Sequence, residues 1–319
     1  MQVHPAIAAL RADPPLQRRA TAEVEAALCR WHRHEHVSAV HGDLLRYAAG
    51  EDLTRLPMLA SLMAELPVAQ DYVGSFTSAI IPALREQPLA EVPLRQSHSP
   101  GYSRLLLWQE AGVTLSLSTY EPVASTIEPE TAQFVDCERN ELLVSGEASG
   151  WHFSICDQGR VKADRKFWCQ GDSIRCHARR ESRQFLGVQR SVTLLQLIRT
   201  PKRPAPTLVY NLADSALVQQ SSGDKRASEQ VMALGVLGAL GNSAAIAPMI
   251  AFASDPSHDT TARWEAVRQV LALDARAGLN LLSELSSCQA DPLAQPARSL
   301  HRDLLRRQPE LAQASVEPV

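Results

Sequence analysis

Residues 102–200 place the strongest constraint on the fold, because their sequence pattern is that of many short β-strands. Within residues 113–118, Val, Leu and Leu alternate with Thr, Ser and Ser. Consecutive side chains of a strand point to opposite faces, so this alternation predicts one buried face and one polar face. Glycines and polar residues separate further runs of this kind. Such a series indicates an antiparallel β-sandwich or barrel.

The segments on either side of this block have helical periodicity. Between residues 15 and 90, apolar residues recur every three or four positions, which predicts helices near 17–31, 54–65 and 70–87. Residues 200–206 hold three prolines and are expected to form a stiff connector. The pattern then predicts helices from Asp224 to Gln308. The predicted domains are an N-terminal helical segment (1–95), a β-sandwich (96–222) and a helical tail (223–319).

The tail contains a weak internal repeat. The sequence ALGVLGAL at 233–240 aligns with AVRQVLAL at 266–273, an offset of 33 residues. A period of this length with small and aliphatic residues at fixed places is typical of stacked helix pairs. The tail is therefore expected to dock a protein partner.

Overall charge and cysteine spacing exclude several functional classes. The formal net charge of −3 argues against a nucleic-acid-binding protein. The sequence has no secretory signal and no run of 18 apolar residues, so we expect a cytoplasmic protein without a membrane segment. The six cysteines form no Cys-x-x-Cys pair and are expected to be free thiols.

Two stretches resemble known families. The run Phe167–Arg175 (FWCQGDSIR), with Gly171-Asp172 and the strands after it, resembles the end of a cupin, or RmlC-like jelly roll. The run RWEAVR at 263–268, followed by LALD at 271–274, resembles a HEAT-type helical array. The combination is similar to uncharacterised bacterial proteins. The resemblance implies an α+β chain with N-terminal helices, a cupin-like antiparallel β-sandwich and a C-terminal α-helical repeat, and it implies a homodimer.

The resemblance does not extend to the metal ligands of a typical cupin. Cupins bind iron or manganese through a His-x-His pair, a glutamate and a further histidine, whereas the β block holds only His152 and His177, far apart in sequence. Outside the block, His32 and His36 are four residues apart, which on one helix would place both on one face. We predict no metal cofactor. The alternative, an Fe or Mn site, would draw on these four histidines.

Charge is divided unevenly within the β block. Residues 110–147 hold eight acids and one base, whereas residues 160–190 hold nine bases and three acids. Two explanations stay open, cross-strand ion pairing and a basic rim that binds an anion. For the rim we expect Arg179 and Arg183 to act together. The predicted ligand-binding residues are Arg175, Arg179, Arg180, Arg183, His177 and Trp168.

The sequence thus favours a non-catalytic binding or regulatory protein. Its cupin-like domain would hold an acidic small molecule or peptide, and its helical tail would dock a protein. We predict no catalytic residues, because the Gly-x-Ser-x-Gly, Walker A and Gly-x-Gly-x-x-Gly motifs are absent. The competing hypothesis is a metal-dependent cupin-type oxygenase or isomerase with non-standard ligands.

Overall fold

The computed structural model describes residues 14–88, 90–122, 127–157, 159–177 and 179–308. The chain divides into two compact units, Met1–Gln220 and Ser221–Val319. The first unit combines helices with antiparallel sheets and the second is helical. No helix within the described residues has both the length and the apolar character needed to cross a bilayer.

Within the described residues, four α-helices precede the sheets. The first, α1, buries an apolar stripe that includes Val24 and Trp31, as its periodicity predicts. A helix break follows His32, and the chain restarts as α2 at Glu35. Asp43 of α2 caps the first turn of α3, because its Oδ2 accepts the N–H groups of Met58 and Leu59 at 2.9 and 3.2 Å. The helices are α1 (Pro14–His32), α2 (Glu35–Ala48), α3 (Pro57–Ala64) and α4 (Leu66–Glu86).

Twelve strands in the described residues form three sheets. A six-stranded sheet has the order β1-β2-β3-β10-β5-β8, and two three-stranded sheets have the orders β7-β6-β9 and β12-β11-β4. The strands are β1 (Gln96–Ser99), β2 (Tyr102–Glu110), β3 (Val113–Tyr120), β4 (Thr131–Phe134), β5 (Glu138–Ser145), β6 (Glu147–Ile155), β7 (Val161–Cys169), β8 (Ser173–Cys176), β9 (Glu181–Val188), β10 (Val192–Arg199), β11 (Thr207–Asn211) and β12 (Leu217–Ser221).

The six-stranded sheet is covered on both faces. On one face, Leu115, Leu142 and Leu195 join the apolar core of the four helices. The opposite face points into the sandwich, where Leu143 and Leu194 pack with Trp168 of the sheet formed by β7, β6 and β9. The helices are therefore part of the core of this sheet, and they lie in the same compact unit as the strands. The predicted domain boundary at residue 95 therefore lies within one compact unit.

The sheet formed by β7, β6 and β9 has β6 at its centre. Phe153 of β6 packs with Ala132 and Phe134 of β4, so this sheet also has a core on its second face. At its edge lies β7, on which Lys162 and Lys166 are exposed to solvent.

Gly150 of β6 permits a close approach between two strands. The pairing of β6 with β9 shifts register at Ser149/Gly150, and a Cβ at residue 150 would lie 2.1 Å from the carbonyl oxygen of Gln184. The Gly150→Ala variant is therefore expected to lose about 1–3 kcal/mol of unfolding free energy, the usual cost of overpacking, as measured by urea denaturation.

Gly42 provides the matched control for Gly150. It lies in α2, and a Cβ there would meet no atom within 4 Å. The Gly42→Ala variant is expected to gain about 0.5–1 kcal/mol, since alanine is the better helix former. If both variants shift the urea midpoint in the same direction, the close approach at Gly150 does not limit stability.

As far as Gln308, the second unit is a group of five α-helices. Its apolar core contains Leu234, Val267 and Leu282, among others. Arg263 is almost completely buried in this unit, and its Nη2 lies 2.5 Å from Oδ2 of Asp291. The helices are α5 (Lys225–Ala239), α6 (Ile246–Ser254), α7 (Thr260–Leu273), α8 (Ala275–Ser287) and α9 (Ala294–Arg307).

The structure confirms the α+β class with an antiparallel β-sandwich and a helical C-terminal region. The segments aligned by the 33-residue offset lie in α5 and α7, which contact each other. The assignment of a HEAT-like repeat stays a prediction.

Candidate functional site

A buried ion pair occupies the interior of the sandwich. Glu141 of β5 is completely buried, and Arg183 of β9 donates to it bidentately, from Nε to Oε2 at 2.5 Å and from Nη2 to Oε1 at 2.7 Å. Gln196 of β10, the cross-strand partner of Glu141, also donates to Oε1. Both carboxylate oxygens therefore have hydrogen-bond donors, as a buried charge requires.

Aromatic rings enclose this pair. The Arg183 guanidinium lies 3.9 Å from the ring centroid of Phe185 and 5.5 Å from that of Tyr120. Burial raises the pKa of Glu141, but the charge and hydrogen bonds of Arg183 outweigh burial and hold it below its ordinary value. Glu141 is therefore ionised at neutral pH. The pair of Arg183 and Glu141 links the sheet formed by β7, β6 and β9 to the six-stranded sheet.

A second polar region, which we term the cationic cleft, opens between the N-terminal helices and the six-stranded sheet. It has a volume of about 290 Å³. Three arginines and one histidine contribute to its lining from three different strands or their ends, together with two acids. These ionisable residues are Arg139, Arg175, Arg199, His177, Asp52 and Glu138.

The acids of the cationic cleft are already engaged. Glu138 lies 2.6 Å from Nη2 of Arg199 and accepts a hydrogen bond from the Tyr47 hydroxyl at 3.0 Å. Asp52 accepts from the backbone and side chain of Thr54 at 2.8 and 2.6 Å. Thr54 and the other donors lower the pKa of Asp52, so this carboxylate stays ionised in place.

Two arginines of the cationic cleft have a different environment. No acid of the described residues lies within 4.0 Å of the Arg139 or Arg175 guanidinium. The Nε of Arg139 is buried and has no hydrogen-bond partner among the described residues. A buried donor without an acceptor is costly. In the register of β5, Arg139 lies opposite Cys176 and on the same face as Glu141, which points into the sandwich, so Arg175 is the arginine that an anion in the cleft would meet.

Arg175 also borders a smaller cavity of about 270 Å³ at the edge of the sandwich. His152 and Trp168 line this cavity with Asp164, whose pKa is lowered mainly by a hydrogen bond from Lys162. His152 lies opposite Arg183 in the register of β6 with β9. The structure thus brings Arg175, His152 and Trp168 together, and it places His177 in the cationic cleft.

The other predicted arginines do not form one exposed rim. The expectation that Arg183 is a rim residue is wrong, because its side chain is buried against Glu141. Arg180 is exposed and lies 3.8 Å from Asp157. Arg179 adopts a left-handed backbone conformation with φ of 57°, in the turn before β9. The expected joint action of Arg179 and Arg183 on an exposed surface therefore has no geometric basis.

The expected metal pair His32 and His36 is also corrected. The helix ends at His32 and the next begins at Glu35, so the two residues do not share a helical face. His36 Nε2 lies 3.3 Å from the Ser75 hydroxyl. The His32 ring instead faces His41, with 5.1 Å between ring centroids.

The sandwich does not fit an iron or manganese site of the cupin kind. Such a site needs several histidines around one carboxylate. The interior carboxylate, Glu141, directs both oxygens to Arg183 and Gln196, and His152 and His177 line different cavities. Within the described residues, no group of three His, Cys, Asp or Glu side chains is arranged to hold a metal ion.

Sequence reasoning missed Glu141, Gln196, Arg139 and Arg199. Gln196 interrupts the apolar run Leu-Leu-Gln-Leu-Ile, and Glu141 directly precedes the apolar run Leu-Leu-Val. A charged or amide side chain within such a run is a signal for a buried polar contact. Nothing in the sequence indicates that Arg199 meets Tyr47 and Glu51 of the N-terminal helical region.

Comparisons with known proteins give only a partial structural likeness. No protein-family model matches the chain, and no curated protein matches it. The cupin domain of CENP-C from Drosophila melanogaster is 14% identical, with a TM-score of 0.26 over 34% of this chain and 77% of that one. A 7S globulin from Momordica charantia is 13% identical, with a TM-score of 0.27 over 37% of this chain and 35% of that one.

A third similar structure is a protein of unknown function, VPA0057, from Vibrio parahaemolyticus. It is 15% identical, with a TM-score of 0.23 over 33% of this chain and 96% of that targeted domain. Cupin proteins are thus among the solved structures to which this chain is similar. They include a 7S globulin, the CENP-C cupin domain and an oxalate oxidase. None of these likenesses specifies an activity.

Proposed function

We propose that this chain is a non-catalytic binding protein whose cationic cleft holds a small acidic molecule or an acidic peptide side chain. One observation carries the proposal. Arg139 and Arg175 line a cavity in which the acids are already engaged by other groups. Guanidinium groups bind carboxylates and phosphates through paired N–H donors, so the ligand class is a carboxylate or a phosphate.

Arg199 and Tyr47 support this role by fixing the wall of the cationic cleft. The Arg199 guanidinium stacks on the Tyr47 ring at 4.1 Å and donates to the Glu51 carbonyl at 3.0 Å. Glu138 of β5 therefore balances the charge of Arg199, and Tyr47 of α2 and the Glu51 carbonyl after α2 hold its position. A ligand would meet a preorganised surface, which lowers the entropic cost of binding.

The test is calorimetric titration of the full chain with citrate, succinate, inorganic phosphate, a sugar phosphate and an acidic peptide. At least one of these anions is expected to bind, and Arg175→Ala is expected to weaken binding about tenfold or more. Arg175→Lys should restore only part of the affinity, because lysine lacks the planar fork.

Arg190→Ala is the matched control for Arg175→Ala. Arg190 is exposed like Arg175, but it does not line the cationic cleft. Its loss removes the same charge and should leave affinity nearly unchanged. Binding of no anion on the panel, or equal loss in both variants, would contradict a site at the cationic cleft.

The proposal also includes a protein partner at the helical tail. Met232 and Val236 of α5 and Leu240, its C-terminal cap, lie four residues apart and are 64%, 58% and 73% exposed. Residues four apart share one face of a helix, so they form an apolar stripe that an apolar helix or sheet of a partner would cover. A HEAT-like arrangement of the tail, a homodimer and a cytoplasmic location belong to the same proposal. The six free cysteines support a reducing compartment.

A further inference from the structure

Two histidines meet where the first two helices join. His32 is the last residue of α1, and His41 lies in the second turn of α2. Their ring centroids are 5.1 Å apart, at an interplanar angle of 60°. The buried Trp31 ring contacts both, at 5.0 Å from His32 and 6.0 Å from His41. Both histidine rings therefore pack against the buried Trp31 ring.

The Nε2 atoms of both histidines lack partners. Each is buried, and neither has a hydrogen-bond partner among the described residues. Buried ring nitrogens are normally satisfied, so two orphaned nitrogens on facing rings require an explanation. A neutral imidazole has one nitrogen without a proton, and that nitrogen is the atom that coordinates a metal ion.

The neighbouring His36 is engaged elsewhere. Ser75 donates its hydroxyl hydrogen to the Tyr72 carbonyl at 2.8 Å and accepts from Trp31 Nε1 at 2.9 Å. Since that hydroxyl has no second hydrogen, His36 Nε2 must be the donor in its 3.3 Å contact with Ser75. A protonated Nε2 cannot be a metal ligand.

We propose that His32 and His41 bind a divalent transition-metal ion of the zinc class through their Nε2 atoms. Imidazole suits zinc, copper and nickel, whereas the site offers no carboxylate for magnesium or calcium. Within the described residues no third ligating side chain completes a group, so water fills the remaining positions. Both side chains are partly exposed, although both Nε2 atoms are buried.

The experiment is calorimetric titration of chelator-treated full-length protein with zinc chloride. Wild type is expected to bind one zinc ion per chain. Loss of an outer-shell partner already costs roughly 10- to 100-fold in metal affinity, so His32→Ala and His41→Ala should each weaken zinc at least about tenfold. His34→Ala and His36→Ala remove nearby histidines and should keep wild-type affinity.

A second measurement separates the site from folding. Far-UV circular dichroism identifies any alanine variant that has lost helix, and His32→Gln and His41→Gln then replace it, because glutamine retains polarity but not the imidazole. Retained zinc binding in folded variants of both residues would overturn the proposal. Absence of zinc binding by wild type, or its loss only in the His34 and His36 variants, would also overturn it.

Discussion

Replacing Arg183 by alanine is expected to lower the free energy of unfolding by about 3–5 kcal/mol. The reason is that Glu141 would remain completely buried without the guanidinium that donates to both of its oxygens. The Gln196 amide alone would satisfy one oxygen and would not balance the charge. Urea denaturation followed by tryptophan fluorescence measures the loss.

Two control variants test whether the loss of stability comes from leaving the Glu141 charge buried and unpaired. Arg180→Ala removes an arginine three residues away, whose exposed pair with Asp157 is expected to contribute at most about 1 kcal/mol. The double variant Arg183→Met/Glu141→Leu removes both charges and should recover most of the loss. A single Arg183→Ala variant as stable as Arg180→Ala would show that the interior pair is not desolvated.

Arg263→Ala is expected to have a comparable effect on the helical unit, a loss of about 3–5 kcal/mol. Arg263 is 1% exposed and connects three places: it donates to the Ala253 carbonyl at 2.8 Å and to both Asp291 oxygens at 3.2 and 2.5 Å. Without it, the Asp291 carboxylate keeps only the N–H of Leu293, and the Ala253 carbonyl at the end of α6 loses its side-chain donor. The measurement is the helical circular dichroism signal during urea denaturation.

Arg268→Ala is the control on the same helix. Its side chain is 63% exposed and pairs with Glu265 three residues earlier, at 2.9 Å. Such a pair is expected to contribute only a few tenths of a kcal/mol. If Arg263→Ala and Arg268→Ala shift the helical transition equally, the buried bridge between α6, α7 and Asp291 contributes little.

The fold followed from sequence where periodicity was strong. Strand β3 spans Val113–Tyr120 and contains the alternating run at 113–118, and helix α7 spans Thr260–Leu273 within the region predicted to be helical. Both segments combine a clear apolar period with a local stop signal, glycine before β3 and aspartate on either side of α7. Local pattern is sufficient for such elements because tertiary packing agrees with it.

The sequence could not show whether the polar face of β3 is turned to solvent or to the protein interior. Alternation predicts a face that differs from the leucine face, and solvent is the ordinary surrounding of such a face. In the structure Ser116 and Ser118 are completely buried and point into the sandwich, because the leucine face is covered by the N-terminal helices. Period alone does not tell which side of a strand is the interior when both sides are covered.

The candidate site was predictable only in part. Arg175 and His177 line the cationic cleft, but Arg139 and Arg199 come from strands that sequence separates from them by tens of residues. The antiparallel pairings of β5 with β8 and β10 bring these residues together. The helix also breaks for two residues after His32. Because of this break, the His32 ring lies next to His41 and not next to His36, and the apolar periodicity does not indicate such a break.

The charged edge of the sheet formed by β7, β6 and β9 has a consequence for the behaviour of the protein at high concentration. An edge strand exposes unpaired N–H and C=O groups, which invite a strand from another molecule to extend the sheet. On β7 the exposed Lys162 and Lys166 flank Asp164, so an incoming strand would have to accept these charges beside its own backbone. Lysines at such positions act as gatekeepers against fibrous aggregation. These charges are therefore expected to disfavour edge-to-edge growth of the sheet at β7.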